Sequence, residues 1–191
     1  VIEQLGIKLK YSIETHVHAD HITAGSALKE RLGSKTVLGK TTKVECADHL
    51  IGDGETLEFG SFKLEALFTP GHTDGCMSYI VGNRVFTGDA LFIRGTGRTD
   101  FQSGSSEALY DSITKKLYTL PETTMIYPGH DYKGMTTSTV AEERKFNRRV
   151  RDGVTKADFV KTMNDLKLAD PKKIKESVPA NLQCGKIVME A

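Results

Sequence analysis

Three short histidine loops, each following a segment that reads as a strand, constrain most strongly how this chain can fold. They read Thr15-His16-Val17-His18-Ala19-Asp20-His21, Pro70-Gly71-His72-Thr73-Asp74-Gly75 and Pro128-Gly129-His130-Asp131-Tyr132. A fourth loop, Thr87-Gly88-Asp89, adds a carboxylate. Of the 6 histidines in the chain, only His49 stands outside this set. Loops that follow strands collect at one end of a sheet structure, and loops carried on a rigid scaffold are where function concentrates. The fold therefore has to bring distant parts of the chain to one sheet end. His16 and His18 are two residues apart, so on an extended backbone they point the same way. Imidazole and carboxylate together suit first-row metals such as zinc and iron.

The local patterns fill in an α/β chain. Strands are expected over 11–15, 35–38, 42–46, 55–59 and 61–68, from β-branched content and alternation. Residues 76–81 and 84–87 form a hairpin across Gly82-Asn83. A helix is expected over 20–32, ended by Gly33. A Gly-rich stretch, 88–104, has no periodicity, and a loop of that length inside a compact domain is usually functional. Leu109, Ile113 and Leu117 share one face of a helix over 105–119. A strand at 123–126 leads into the His130 loop. Thr139 and Glu142 fit a capping box for a helix to about Phe146, and Thr155 caps another over 155–166. The tail from Pro171 holds a short helix followed by Pro179-Ala180-Asn181. A single domain over 1–191 is the expectation.

Composition excludes several classes. Lys plus Arg is 26 and Asp plus Glu is 25, so no strong field attracts nucleic acid or an acidic membrane. No apolar run approaches the ~20 residues that a membrane span needs. Cys46, Cys76 and Cys184 are odd in number, widely spaced and without CxxC pairing. That argues against a disulfide framework and for a reducing compartment rather than secretion. The chain starts with Val1 and shows no signal peptide, so a trimmed product is the expectation.

The ordered set HxHxDH, GHTDG, FTGD and YPGHDY resembles the metallo-β-lactamase superfamily. That resemblance implies a four-layer αββα sandwich with metal at the strand ends. In its dinuclear hydrolases, residues matching His16, His18 and His72 hold one metal. Those matching Asp20, His21 and His130 hold the other, with Asp89 between. A closer resemblance lies in Thr87–Gln102, with its Gly97-Arg98-Thr99-Asp100-Phe101 core, and in His130-Asp131-Tyr132, Ser138-Thr139-Val140 and Val178–Gly185. These stretches are similar to the persulfide dioxygenases, the group affected in ethylmalonic encephalopathy. Family members carry first strands ahead of the position of Val1. Their absence here would leave a sheet edge open.

What this resemblance implies is an iron-dependent enzyme oxidising glutathione persulfide with O₂ to sulfite and glutathione. One ferrous iron, Fe(II), would be held by His16, His72 and Asp89. His18, Asp20, His21 and His130 would be outer catalytic groups that orient ligands and bound water. Arg98, Tyr132 and Arg149 would contact glutathione. The family often has Asn-Pro-Arg where this chain reads Asn147-Arg148-Arg149, which leaves the choice between the two arginines open. From the residues alone, Arg94 reads as a structural partner for a carboxylate such as Asp100, and Cys76 as buried packing. A mitochondrial matrix location is implied for a eukaryotic source and a cytoplasmic one for a bacterial source, with a homodimer as a family expectation. Two rivals stand beside this reading. One is a dinuclear hydroxyacylglutathione hydrolase like glyoxalase II. The other is a shortened, non-catalytic member acting as a scaffold.

Overall fold

The computed structural model describes residues 1–42 and 44–186. The chain forms two compact units: residues 1–51 with 169–191, and residues 52–168.

The first unit is built on a three-stranded sheet. Strands β1 (Tyr11–Ile13), β2 (Lys35–Gly39) and β3 (His49–Ile51) lie in that order and are all parallel. The helix α1 (Gly25–Leu32) makes the crossover from β1 to β2 and stops at Gly33, whose left-handed backbone lets its N–H close on the Lys29 carbonyl. The helix expected from residue 20 thus starts five residues late. The reason is a long-range competitor: the Thr23 N–H and the His18 and His21 carbonyls are bonded to the Asn181 side chain instead of to helical partners. The strand expected over 42–46 does not form either. A 3-10 turn occupies Lys40–Thr42, Val44 is buried without strand pairing, and Lys43 lies outside the described residues. β3 takes the place beside β2, next to Asp48, whose carboxylate accepts from Thr36 N (2.9 Å) and Thr36 Oγ1 (3.0 Å).

The tail of this unit corrects two more expectations. Its helix runs Ile174–Asn181 and contains Pro179 rather than ending before it. Cys46 and Cys184 are joined in a disulfide between Cα atoms 6.0 Å apart, against the reading of unpaired cysteines. The two are 138 residues apart, a separation in which sequence spacing carries no information about proximity. They meet because both lie with Val17, Leu38, Val44, Leu50 and Val178 in one apolar cluster.

The second unit carries a six-stranded sheet in the order β4 (Thr56–Phe59), β5 (Phe62–Phe68), β6 (Met77–Val81), β7 (Arg84–Gly88), β8 (Met125–Pro128) and β9 (Ser138–Thr139). Every pairing is antiparallel except β7 with β8. β5, β7 and β8 therefore run in one direction. Their following loops, which carry His72, Asp89 and His130, emerge at the same end of the sheet. This is what the histidine loops demanded of the fold.

Helices α2 (Ser106–Lys115), α3 (Val140–Phe146) and α4 (Lys156–Asn164) follow the long loop. Thr139 and Thr155 cap the last two, accepting from Glu142 N and Asp158 N. The expected helix over 105–119 ends in a 3-10 turn at Leu117–Thr119. Leu109, Ile113 and Leu117 pack with Val85, Leu91, Ile126 and Phe159 in the core.

Candidate metal centre

His72 and Asp89 form the heart of the site in the second unit. Both are buried, at 5% and 7% exposure. His72 Nδ1 lies 2.7 Å from the carbonyl oxygen of Arg98. A carbonyl can only accept, so Nδ1 carries the proton and Nε2 is the lone-pair nitrogen. That nitrogen sits 3.7 Å from Asp89 Oδ2. The gap is too long for a hydrogen bond, and two metal–ligand bonds of about 2.1 Å would span it. The other carboxylate oxygen, Asp89 Oδ1, accepts from His130 Nδ1 at 2.8 Å. His130 thus orients the carboxylate, as outer groups of metal sites do.

Two glycines make this packing possible. A Cβ on Gly97 would stand 2.1 Å from the Asp89 carbonyl oxygen and 3.0 Å from His72 Nδ1. A Cβ on Gly129 would stand 2.5 Å from Asp89 Oδ1. The GRTDF loop thus presses bare backbone against His72, and Phe101 adds an edge-on ring contact at 5.7 Å.

The remaining ligand loop lies in the first unit. His16 is buried, with Nδ1 3.0 Å from Thr15 Oγ1. Its ring is 4.1 Å from that of His18. His18 Nε2 lies 3.2 Å from Glu14 Oε2, and its Nδ1 is buried without a hydrogen-bond partner among the described residues. His18, Asp20 and His21 offer ligand atoms within 4.8 Å of one another. Glu14 was missed by sequence reasoning, although its place four residues ahead of His18 was a usable signal.

The arginines and the tyrosine fall as follows. Arg98 pairs its Nε and Nη2 with the two oxygens of Asp100, both at 2.6 Å, and reaches the Leu168 carbonyl at 3.3 Å. This bidentate hydrogen bonding holds the Asp100 carboxyl below its usual range. Arg94, expected to serve Asp100, instead binds the fully buried Glu143 through its guanidinium and its backbone N–H. Arg149 Nη1 bonds the Thr96 carbonyl at 2.7 Å, and burial lowers its pKa. Tyr132 is 74% exposed and stacks parallel on His130 with centroids 5.6 Å apart. Cys76 is buried as expected, its thiol pushed up to about 12 by that burial.

Sequence reasoning also missed the two groups that hold the loops. Glu143 gathers Arg94, Ser138 Oγ (2.8 Å) and Asn147 Nδ2 (2.8 Å). Asn181 gathers the histidine loop of the first unit. A glutamate on a predicted helix gave no signal, while the Pro-Ala-Asn tail gave one through resemblance.

Comparison with known proteins agrees with this geometry. Residues 2–130 match the metallo-beta-lactamase superfamily. The mitochondrial persulfide dioxygenase ETHE1 of Mus musculus is 46% identical over 188 residues, covering 97% of this chain and 73% of that protein. A probable metallo-hydrolase of Burkholderia pseudomallei is 35% identical over 224 residues, covering 97% and 76%. The crystal structure of ETHE1 from Myxococcus xanthus superposes with a TM-score of 0.94 at 47% identity, covering 97% and 81%. With its strand-end histidines and carboxylate in the superfamily's order, the chain belongs to the metallo-beta-lactamase superfamily and, within it, to the persulfide dioxygenases.

Proposed function

We propose that this protein is an iron-dependent sulfur dioxygenase that converts glutathione persulfide, O₂ and water to glutathione and sulfite. The observation that carries the reading is the bond from His72 Nδ1 to the Arg98 carbonyl. It ties a proposed ligand of the shared superfamily site to the GRTDF loop, the stretch that sets the persulfide dioxygenases apart from the hydrolases. The 46% identity to the mouse persulfide dioxygenase over nearly the whole chain supports it.

The donor set fits one ferrous iron. His16, His72 and Asp89 are two imidazoles and one carboxylate, all buried. That is the two-histidine, one-carboxylate combination of non-haem oxygenases. Iron held there would supply room for persulfide and O₂ to bind and the redox capacity that O₂ activation needs. The protein does the rest. The Arg98 carbonyl fixes the tautomer of His72. His130 fixes the Asp89 carboxylate, and Glu14 lies against His18. Tyr132, Arg98 and Arg149 are assigned to glutathione, whose carboxylates call for cationic and phenolic donors. By the same reading the protein works in sulfide oxidation, in the mitochondrial matrix of a eukaryote or the cytoplasm of a bacterium. Among the described residues no helix is long and apolar enough to cross a membrane.

A hydroxyacylglutathione hydrolase is the second reading. The cluster of His18, Asp20 and His21 favours it, since those side chains would serve a second metal. Iron and zinc content of protein purified anaerobically without added metal separates the two. One iron per chain supports the dioxygenase, and two metals per chain support the hydrolase.

A further inference from the structure

The histidine loop of the first unit is held from behind by a segment far away in sequence. Asn181, 3% exposed, donates through Nδ2 to the His18 and His21 carbonyls, both at 2.8 Å, and accepts from Thr23 N at 2.9 Å. Both groups of its side-chain amide are therefore spent on the backbone of one loop. Next to it, the Cys184 carbonyl accepts from Ser26 N at 2.9 Å and Ser26 Oγ at 2.8 Å, at the start of α1. The turn that allows this is a demanding one. Cys184 has φ 57°, in the left-handed region that non-glycine residues rarely adopt. Gly185 follows with φ 85°, where a Cβ would stand 2.0 Å from the Thr23 carbonyl oxygen. The tail thus grips the loop at its backbone, through the Asn181 side chain and the Cys184 carbonyl. The covalent tie that keeps it there is the Cys46–Cys184 disulfide.

We propose that the C-terminal tail is a clasp that positions the histidine loop through Asn181, and that the Cys46–Cys184 disulfide is its redox lock. Cys184 is 5% exposed and Cys46 is only partly buried, so a small thiolate reaches the Cys46 sulfur. Attack there breaks the Cys46–Cys184 bond and releases Cys184 as a thiolate, which takes a proton. A second low-molecular-weight thiolate attacks the outer sulfur of the mixed disulfide and releases Cys46. The protein pair gains two electrons and two protons, and two small thiols leave as one small disulfide. An excess of small disulfide runs the same steps backwards. Reduction removes a crosslink that closes a long loop. The strained Cys184 turn is then free to relax, and Asn181 loosens its hold on the carbonyls. Asn181 is a positioning residue. The effect on the metal rests on the functional reading above, whereas the effect on the loop does not.

The test uses the full chain at two thiol–disulfide poises, set anaerobically with glutathione and glutathione disulfide. Amide hydrogen exchange is followed by mass spectrometry on peptides spanning residues 16–26, and iron release to a chelator is timed. Mass mapping after alkylation should show the Cys46–Cys184 link at the oxidising poise. Reduction should speed exchange at Thr23 and Ser26, and should speed iron release roughly tenfold, as loss of outer-group support does. Cys46→Ser should behave as reduced at both poises. Asn181→Asp should release iron quickly even when oxidised. Free thiols at Cys46 and Cys184 at the oxidising poise, or equal exchange at the two poises, would overturn the proposal. A response of Cys46→Ser equal to that of the native chain would also overturn it. The exchange readout needs no metal. Failure to retain any iron would therefore strike the functional reading and leave the clasp to be judged by exchange alone.

Discussion

At the scale of single residues, the site works by assigning each nitrogen and oxygen one task. Asp89 is the only anionic member of the proposed ligand set, and its two oxygens are divided between His130 and the space facing His72. Asp89→Ala should therefore lose nearly all iron. His18→Ala, which removes a side chain lying against Glu14, should keep substantial iron and lose activity. Metal analysis of both variants checks this, and equal loss in the two would refute the assignment. Arg98→Ala should leave iron content unchanged and raise KM for glutathione persulfide roughly ten- to hundredfold, the effect of losing one charge-assisted partner worth about 1.5–3 kcal/mol. Its Asp100 partner is 51% exposed, so the loss of their pair should change stability by only about 0–1 kcal/mol. Unaltered KM with falling iron would make Arg98 structural. Asp48 provides a pH signature. The Lys29 hydrogen bond, with those from Thr36, lowers its carboxyl from 3.8 to about 2. A depressed folded value means that its stabilisation is present above the unfolded value and is lost as pH falls through about 4 towards about 2. In urea unfolding, the advantage of the native chain over Asp48→Ala should shrink across that window. An advantage that stays constant would contradict this.

At the scale of elements, loops are placed by strands but held by buried polar anchors. The directions of β5, β7 and β8 set where His72, Asp89 and His130 emerge. The GRTDF loop has no strand to hold it, and Glu143 on α3 does so instead, through Arg94, which opens that loop. Glu143 is fully buried, so Glu143→Ala would remove the main partner of the mostly buried Arg94 guanidinium, leaving it Ser138 and the more distant Glu142. That should destabilise the protein by about 3–5 kcal/mol, and Glu143→Gln by less, since the amide keeps part of the hydrogen bonding. Thermal or urea unfolding of both variants measures it, and a neutral Glu143→Ala would remove Glu143 from the account. The element boundaries show where local pattern stops being informative. Thr139 and Thr155 cap their helices as read, because capping is decided within four residues. The late start of α1 was not readable, because the competing partner, Asn181, lies 158 positions from Thr23.

At the scale of the whole molecule, the superfamily fold and the candidate metal-binding histidines were legible because each histidine loop is a contiguous motif after a strand. The resemblance then ordered those motifs into one site. The pairing of Arg98 with Asp100 rather than Arg94, the Glu143 anchor and the Cys46–Cys184 link were not legible. The Glu143 anchor and the Cys46–Cys184 link depend on which distant segments meet. Arg98 and Asp100 are neighbours in a loop without periodicity, where pattern does not choose between Arg94 and Arg98. Composition pointed the wrong way for the cysteines. The disulfide also removes the argument from cysteine count for a reducing compartment. The central claim is that this metal site carries out oxygen chemistry on a sulfur substrate. The most direct test is an oxygen electrode with iron-loaded protein and glutathione persulfide, with sulfite measured in parallel. The account predicts O₂ uptake with one sulfite formed per O₂, abolished when zinc replaces iron, because zinc has no accessible redox change. Anaerobic cleavage of lactoylglutathione by the zinc-loaded protein, with no O₂ uptake by the iron form, would contradict it and make the hydrolase the correct reading.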